Sequence, residues 1–172
     1  KLLKAFPNSH VTGVEIDPYL VDKSRETLAG TGADRCEIFE GSITSLPFAD
    51  GTFDFVIARL VLEHLPDPVA AAREMRRVLK TGGKVVVIDN DFDLHLRCYP
   101  EIPELRDLYE AYCRCRVSQG GNPRIGRQLP VTLEDAGFGN VDLEIVVAHN
   151  RVVGDQSFLR SEGSGIPAQL AK

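Results

Sequence analysis

Short apolar runs and amphipathic stretches take turns along the first half of the chain. Lys1 to Phe6 reads as the end of a helix, stopped by Pro7-Asn8. Val11 to Glu15 (V-T-G-V-E) has the profile of a buried strand. Asp17 and Pro18 fit the N-cap and first position of a helix running to about Gly30, with Leu20, Val21, Ser24 and Leu28 on its inner face. Glu37 to Glu40 is a short strand. After the turn at Asp50-Gly51, Phe53 to Ala58 (F-D-F-V-I-A) is a buried one. Asp67-Pro68 starts a second helix carrying Val69, Ala72, Met75, Arg76 and Leu79, with Gly82-Gly83 as its C-terminal signal. Lys84 to Asp89 (K-V-V-V-I-D) is too apolar for a wet face. Such runs belong to parallel sheets covered on both sides. Strand and helix alternating at this spacing predict an α/β fold with a doubly wound, mostly parallel sheet.

The pattern changes after Asp93. Pro100 and Pro103 interrupt the chain, and Leu105, Leu108, Tyr109 and Tyr112 then form a helical stripe. Gly120-Gly121-Asn122-Pro123 is a turn, Gln128 to Ala136 a helix ending at Gly137, and Val141 to Ala148 a last strand. Ser161 to Gly165 reads as linker, and no internal repeat is visible.

Bulk composition narrows the class. The chain has 172 residues, enough for one domain with a real core. Apolar content of 43% and charged content of 26% are ordinary globular usage, which sets aside disorder and fibres. A net charge of −5 offers no basic excess to hold a polyanion, so no nucleic-acid partner is expected. No apolar run approaches the roughly 18 residues of a membrane span. Cys36, Cys98, Cys113 and Cys115 give no disulfide framework, which points to a reducing, cytoplasmic setting. Cys113 and Cys115 form a C-x-C pair that nothing completes into a four-ligand zinc site, so no metal is expected.

In doubly wound sheets, ligands bind beyond the carboxyl ends of the strands. The residues there are Glu15, Gly41-Ser42, Ala58-Arg59 and Asp89 to Asp91. An acid at such a strand end is one way to hold the two hydroxyls of a ribose, and a glycine-rich turn precedes it by roughly 20 residues. The residues before Glu15 contain a single glycine, Gly13, inside the strand itself.

V-T-G-V-E-I-D-P (11–18), E-G-S-I-T-S-L-P-F-A-D-G-T-F-D-F-V (40–56), L-E-H-L-P-D-P (62–68) and E-M-R-R-V-L-K-T-G-G-K-V-V-V-I-D (74–89) follow one another in the chain. In that order they resemble class I S-adenosylmethionine-dependent methyltransferases, in the ubiquinone/menaquinone-biosynthesis-like (methyltransferase type 11) branch. L-E-D-A-G-F-G-N-V (133–141) resembles the late helix–strand junction of the same family. The resemblance covers residues 1 to about 150, read as the methyltransferase core, with 92–127 as a substrate-side lid insertion and 151–172 as a weakly determined tail.

The resemblance implies roles. Glu15 accepts from the ribose hydroxyls of S-adenosylmethionine, and Ile16 packs on the adenine. Ser42 and Ile43 stand where the family has an Asp and a small or apolar residue facing the adenine edge. Ser42 departs from that pattern, since a hydroxyl bonds more weakly than a carboxylate. Arg59 falls near the methionine end. His64 and Asp91 match positions that serve as bases in some relatives, with Asp89 a further candidate. Tyr109 and Tyr112 are candidates to line a substrate pocket, and Arg124 and Arg127 to meet an anionic group. The family's first strand and its G-x-G loop are expected ahead of Lys1. Such a strand would separate residues 11–15 from residues 53–58. The implied activity is methyl transfer to a small-molecule acceptor at O, N or C.

Other signals fail on context. Tyr19 and Lys23 form Y-x-x-x-K, the catalytic pair of short-chain dehydrogenases, but too early in the fold. Asp89, Asp91 and Asp93 imitate an EF-hand start, yet Leu94 and Pro100 stand where Gly and Glu are required. Gly120 to Gly126 follows a helix rather than a strand, so it is not a dinucleotide loop. Two alternatives share Glu15 and the sheet: a nicotinamide-dependent oxidoreductase, and a non-catalytic methyltransferase-like binding protein.

Overall fold

A computed structural model describes residues 3, 6–29, 34–94 and 98–146. The expected helix end at Lys1 to Phe6 lies largely outside the described residues. So do the end of the expected strand Val141–Ala148, the linker at Ser161 to Gly165 and the tail 151–172. The chain divides into two compact units, residues 1–56 with 70–85, and residues 57–69 with 86–172.

In the first unit β1 (Val11–Glu15) pairs in parallel with β2 (Cys36–Glu40), in register from Val11↔Cys36 to Glu15↔Glu40. The ladder is continued by Val11 N–H to the Arg35 carbonyl at 2.8 Å and Gly41 N–H to the Glu15 carbonyl at 2.9 Å. A Cβ on Gly13 would lie 2.7 Å from Ile38 Cδ1, so glycine lets the Ile38 side chain rest against β1. Helix α1 (Pro18–Ala29) begins as its sequence dictates, with Asp17 Oδ1 accepting the Tyr19 N–H at 2.9 Å as an N-cap. Val21 is buried and Ser24 and Leu28 half-buried, but Leu20 is exposed, so the inner face is narrower than the periodicity suggests.

Helix α2 (Pro68–Val78) buries Ala71, Ala72, Met75 and Val78. Arg76, carried on the same helix, is exposed, because the buried stripe runs one position away from it. Arg77 does the joining. Its Nε and Nη2 meet both oxygens of Glu74 at 2.8 Å. Nη1 donates to the Phe48 carbonyl at 2.7 Å and to Asp50 at 2.9 Å, and Nη2 to the Leu46 carbonyl at 3.0 Å. Glu74 Oε2 in turn accepts the Leu46 N–H at 2.9 Å. The helix is thus tied to the 46–50 loop by a planar fork that only arginine supplies.

β3 (Phe53–Arg59) and β4 (Leu79–Ile88) form a second two-stranded sheet. β1 and β3 share no ladder; each lies in its own sheet. β4 starts directly after α2, so Gly82 (φ 81) and Gly83 lie inside the strand span rather than at a helix cap. A Cβ on Gly83 would stand 2.9 Å from the Lys80 carbonyl and 3.1 Å from that of Asp54, a close approach of backbones that needs glycine. The apolar run of β4 is not covered on both sides. Val86 and Ile88 are exposed, as are Phe55 and Ile57 of β3.

The second unit follows the carboxyl ends of β3 and β4. It contains a 3-10 turn at Leu62–His64, helix α3 (Pro103–Ser118), a 3-10 turn at Ile125–Gln128, and helix α4 (Leu129–Asp135). Phe92, Tyr109, Tyr112 and Cys113 form an aromatic core with Leu105 against it, and the Phe92 and Tyr112 rings lie 4.6 Å apart. Residues 141–146 join no ladder, so the expected final strand is not formed in its described part. No described helix is long and apolar enough to cross a membrane.

The fork of Arg77 leads to a test. Lysine keeps the charge but cannot reach a bidentate carboxylate, a second acid and two carbonyls together. Arg77→Lys is expected to lower the midpoint of urea denaturation. An unchanged midpoint would show that the fork is decorative.

Candidate functional site

In the first unit, the paired carboxyl ends of β1 and β2 bring Glu15 beside Glu40 and the Gly41-Ser42 turn. Glu15 Oε1 accepts the N–H groups of Ile16 at 2.8 Å and Asp17 at 3.0 Å, which holds the carboxylate at the strand end. Its Oε2 takes no hydrogen bond from the described residues. Ile16 is 70% exposed, an unusual place for an isoleucine. Ser42 Oγ accepts the Thr44 N–H at 3.2 Å and lies 2.8 Å from Thr44 Oγ1, and Ile43 is half-buried beside it. The 42–45 loop closes with an isolated bridge between Ser42 and Ser45.

In the second unit, Arg59 is exposed at the end of β3. Leu60 follows with φ 55, a left-handed conformation that costs a side-chain-bearing residue of order 1 kcal/mol. Its N–H is spent on the Ile88 carbonyl at 2.8 Å. Asp89, at the end of β4, then organises the turn. Its Oδ2 accepts the N–H groups of Leu62 at 2.8 Å and Glu63 at 3.3 Å, and Oδ1 that of Asn90 at 3.1 Å. With both oxygens on main-chain donors, Asp89 holds the turn rather than presenting itself to solvent. Burial, and after it the neighbouring Glu63 carboxylate, pushes its carboxyl above the ordinary range.

Glu63 is a residue the sequence reading missed. It is 4% exposed, and its Oε1 lies 3.2 Å from His64 Nε2 and at a long 3.5 Å from the Tyr112 hydroxyl. Tyr112 does not line the cavity described below. Its hydroxyl accepts from Arg116 Nη2 at 2.9 Å, and burial pushes its pKa up. The His64 side chain is 38% exposed. The available signal was an acid set between Leu62 and Leu65, both apolar, at a strand end.

The other base candidate is differently placed. Both oxygens of Asp91 are taken by Arg127, through Nε to Oδ2 and through Nη2 to Oδ1, and its side chain is only 11% exposed. Arg127 Nη2 also reaches Asp93 at 2.8 Å, and Arg124 Nε reaches Asp93 at 2.9 Å. The candidates for meeting an anionic group are therefore both engaged with acids. Beside them lies an open cavity of about 1110 Å³, lined by Phe92, Leu105, Tyr109, Cys113, Arg114 and Arg124 among others. Burial pushes the Cys113 thiol up, which keeps it from acting as a ready thiolate. All four cysteines are free, and no metal-holding group of His, Cys, Asp and Glu is found among the described residues.

The raised carboxyl of Asp89 has a definite sign. A carboxyl whose folded pKa exceeds its unfolded value contributes stability that is present below the unfolded value and lost as pH rises through the folded one. Asp89→Asn keeps an oxygen for the turn and removes the charge. Relative to the parent, this variant is expected to gain stability as pH rises from the ordinary value of 3.8 to about 8. Urea midpoints measured at both ends of that window check it, and a pH-independent difference would contradict it.

Comparison with known proteins completes the picture. Residues 1–87 match the family model described as a methyltransferase domain. An uncharacterized methyltransferase of Schizosaccharomyces pombe is 40% identical over 132 residues, covering 73% of this chain and 47% of that protein. A demethylmenaquinone methyltransferase of Listeria monocytogenes is 33% identical over 108 residues, covering 63% of this chain and 43% of that protein. The chain spans about half the length of these curated relatives. Among solved structures, a SAM-dependent methyltransferase from Aquifex aeolicus matches with a TM-score of 0.54 at 20% identity, covering 74% of this chain and 58% of that one. The [4+2]-cyclase SpnF matches with a TM-score of 0.67 at 23% identity, covering 98% and 59%. At such identities the structures speak for the fold alone, an α/β Rossmann-like methyltransferase fold. With half of its residues matched by the family model, the chain belongs to the methyltransferase domain family.

Proposed function

We propose that the protein transfers a methyl group from S-adenosylmethionine to a small-molecule acceptor. The observation that carries this is the paired end of β1 and β2, where Glu15 keeps an oxygen available beside the Gly41-Ser42 turn. The residues present fit the cofactor. Glu15 Oε2 suits the ribose hydroxyls, the exposed face of Ile16 suits a flat apolar ring, and main chain at Ser42-Ile43 offers polar groups to the ring's edge. Arg59 is assigned to the methionine end from the family pattern.

When bound, the cofactor supplies an already activated methyl on a sulfonium. The protein's part is then to place the acceptor in line and keep water out. A base is needed only for a hydroxyl or amine that must lose its proton. Of the two candidates we assign that role to His64, whose imidazole is part-exposed, because Asp91 is committed to Arg127. The cavity beside α3, with its apolar wall of Phe92, Leu105 and Tyr109, suits an acceptor with an apolar body. The commitment of Asp91 to Arg127, and of Arg124 and Arg127 to Asp93, favours a second reading, a binding protein that keeps the cofactor grip without the chemistry.

Calorimetry separates these readings. S-adenosylhomocysteine is expected to bind and NAD not to. Glu15→Gln is expected to weaken S-adenosylhomocysteine by roughly ten- to a hundredfold, as for loss of hydrogen bonds to a charged group. NAD binding, or an affinity indifferent to Glu15, would overturn the cofactor assignment. Transfer of a labelled methyl to a small-molecule extract distinguishes an enzyme from a binding protein.

A further inference from the structure

We propose that Arg77 and Glu74 are positioning residues for the cofactor's adenine, acting through the loop that carries Ser42 and Ile43. The proposal rests on the methyl-transfer reading, in which main chain at Ser42-Ile43 meets the ring's edge, and extends it to a pair on α2. The loop has two ends to hold. At its start, Gly41 N–H donates to the Glu15 carbonyl on β1 at 2.9 Å. The next residues close on themselves: Ser45 N–H donates to the Ser42 carbonyl at 3.1 Å, and the Ser42 hydroxyl accepts the Thr44 N–H at 3.2 Å. Beyond this turn, the loop is held by α2.

Leu46, the residue after the turn, is gripped through both of its main-chain groups. Its N–H donates to Glu74 Oε2 at 2.9 Å, and its carbonyl accepts from Arg77 Nη2 at 3.0 Å. Arg77 Nη1 takes the Phe48 carbonyl and Asp50, while Nε and Nη2 take the two oxygens of Glu74. Each of the five guanidinium N–H groups thus has an acceptor. The Arg77 carbonyl in turn accepts the Gly51 N–H at 3.0 Å. Between these anchors Pro47 comes close to Gly41: a Cβ added there would lie 3.6 Å from Pro47 Cδ and 3.3 Å from Val14 Cγ1. The Phe48 ring stands edge-to-face with Phe39 of β2 and Phe53 of β3, at 5.4 and 5.0 Å between centroids. A loop held there only by water would sample several arrangements, and a ligand would have to order it on binding. A ring edge met by main-chain groups tolerates little of this, because hydrogen bonds weaken steeply with misalignment. The fork keeps the loop in one arrangement before the ligand arrives. A purely stabilising fork affects every part of the ligand alike; a positioning fork affects the ring's edge.

Calorimetry of the full chain with S-adenosylhomocysteine and S-inosylhomocysteine tests this, since the two probes differ only at the ring's edge. The inosine base carries an oxygen and a ring N–H where adenine carries its amino group and a bare nitrogen. The parent is expected to prefer the adenine probe by about tenfold or more, and Arg77→Lys to shrink that preference below about threefold. Partial unfolding weakens both probes by one common factor and leaves their ratio untouched, so the ratio separates positioning from stability. Glu74→Gln keeps the size and one oxygen but loses the charge. It is expected to shrink the preference less, and it decides the matter where Arg77→Lys does not fold. A ratio unchanged in the folded variants, or a parent that binds both probes equally, overturns this proposal and leaves the cofactor reading in place. A parent that binds neither probe overturns the cofactor reading and this proposal together.

Discussion

The second unit depends on one carboxylate taken out of water. Asp89 ends β4 and gives both oxygens to main-chain N–H groups, two of them in the turn after β3. Left dry and unpaired, each of those N–H groups would cost about 1–3 kcal/mol. Paired, they fix the 3-10 turn, and the turn fixes Glu63 and His64. From Glu63 the order passes through the Asn122 N–H to the 120–123 turn and through Tyr112 to α3. The left-handed Leu60 is tolerated because its neighbours are pinned on both sides, by Ile88 and by Asp89.

The first unit solves the same problem with the opposite electrostatics. There the loop 46–50 is held by Arg77 against Glu74, at a site still reached by water. The guanidinium holds the Glu74 carboxyl below its usual range, whereas burial holds that of Asp89 above it. Glu74 therefore contributes stability that is lost as pH falls through its folded pKa, and Asp89 opposes folding as pH rises. The contrast follows from what each acid meets. Glu74 has a cation in bidentate contact. Asp89 has only peptide dipoles and a second acid nearby.

Much of this was legible in the chain. The strands at 11–15 and 53–58 and the helix starts at Asp17-Pro18 and Asp67-Pro68 follow from local pattern, while the second helix ends at Val78, short of its expected signal at Gly82-Gly83. Glu15 was legible because a strand end and an acid coincide. Errors came where burial depends on partners distant in sequence. Lys84 to Asp89 reads as covered on both faces, but a run of valines cannot say which elements reach it, and Val86 and Ile88 lie open. Leu20 was assigned inward by periodicity and points outward, since a helix's period fixes the width of a stripe but not its phase. Val141 to Val146 has strand propensity but no strand partner among the described residues, and β-propensity is largely a statement about neighbours. Glu63 was hidden because an acid between two leucines looks like a surface residue until Tyr112, some fifty positions later, is packed against it.

A fold of this kind leaves the chemistry undetermined, since a methyltransferase and a cyclase resemble it alike. What decides is which groups are left uncommitted once the structure has satisfied itself. Asp91, Asp93, Arg124 and Arg127 neutralise one another, and Asp89 is consumed by its turn. At the β1 end, Glu15 has one oxygen employed and one spare. In the second unit the His64 side chain stays part-exposed, its Nε2 3.2 Å from Glu63 Oε1. A transfer from an activated methyl asks little more of a protein than a grip on the donor, an aligned acceptor and, where needed, one base. On the reading proposed above, the spare oxygen of Glu15 would serve the first demand and the part-exposed imidazole of His64 the last.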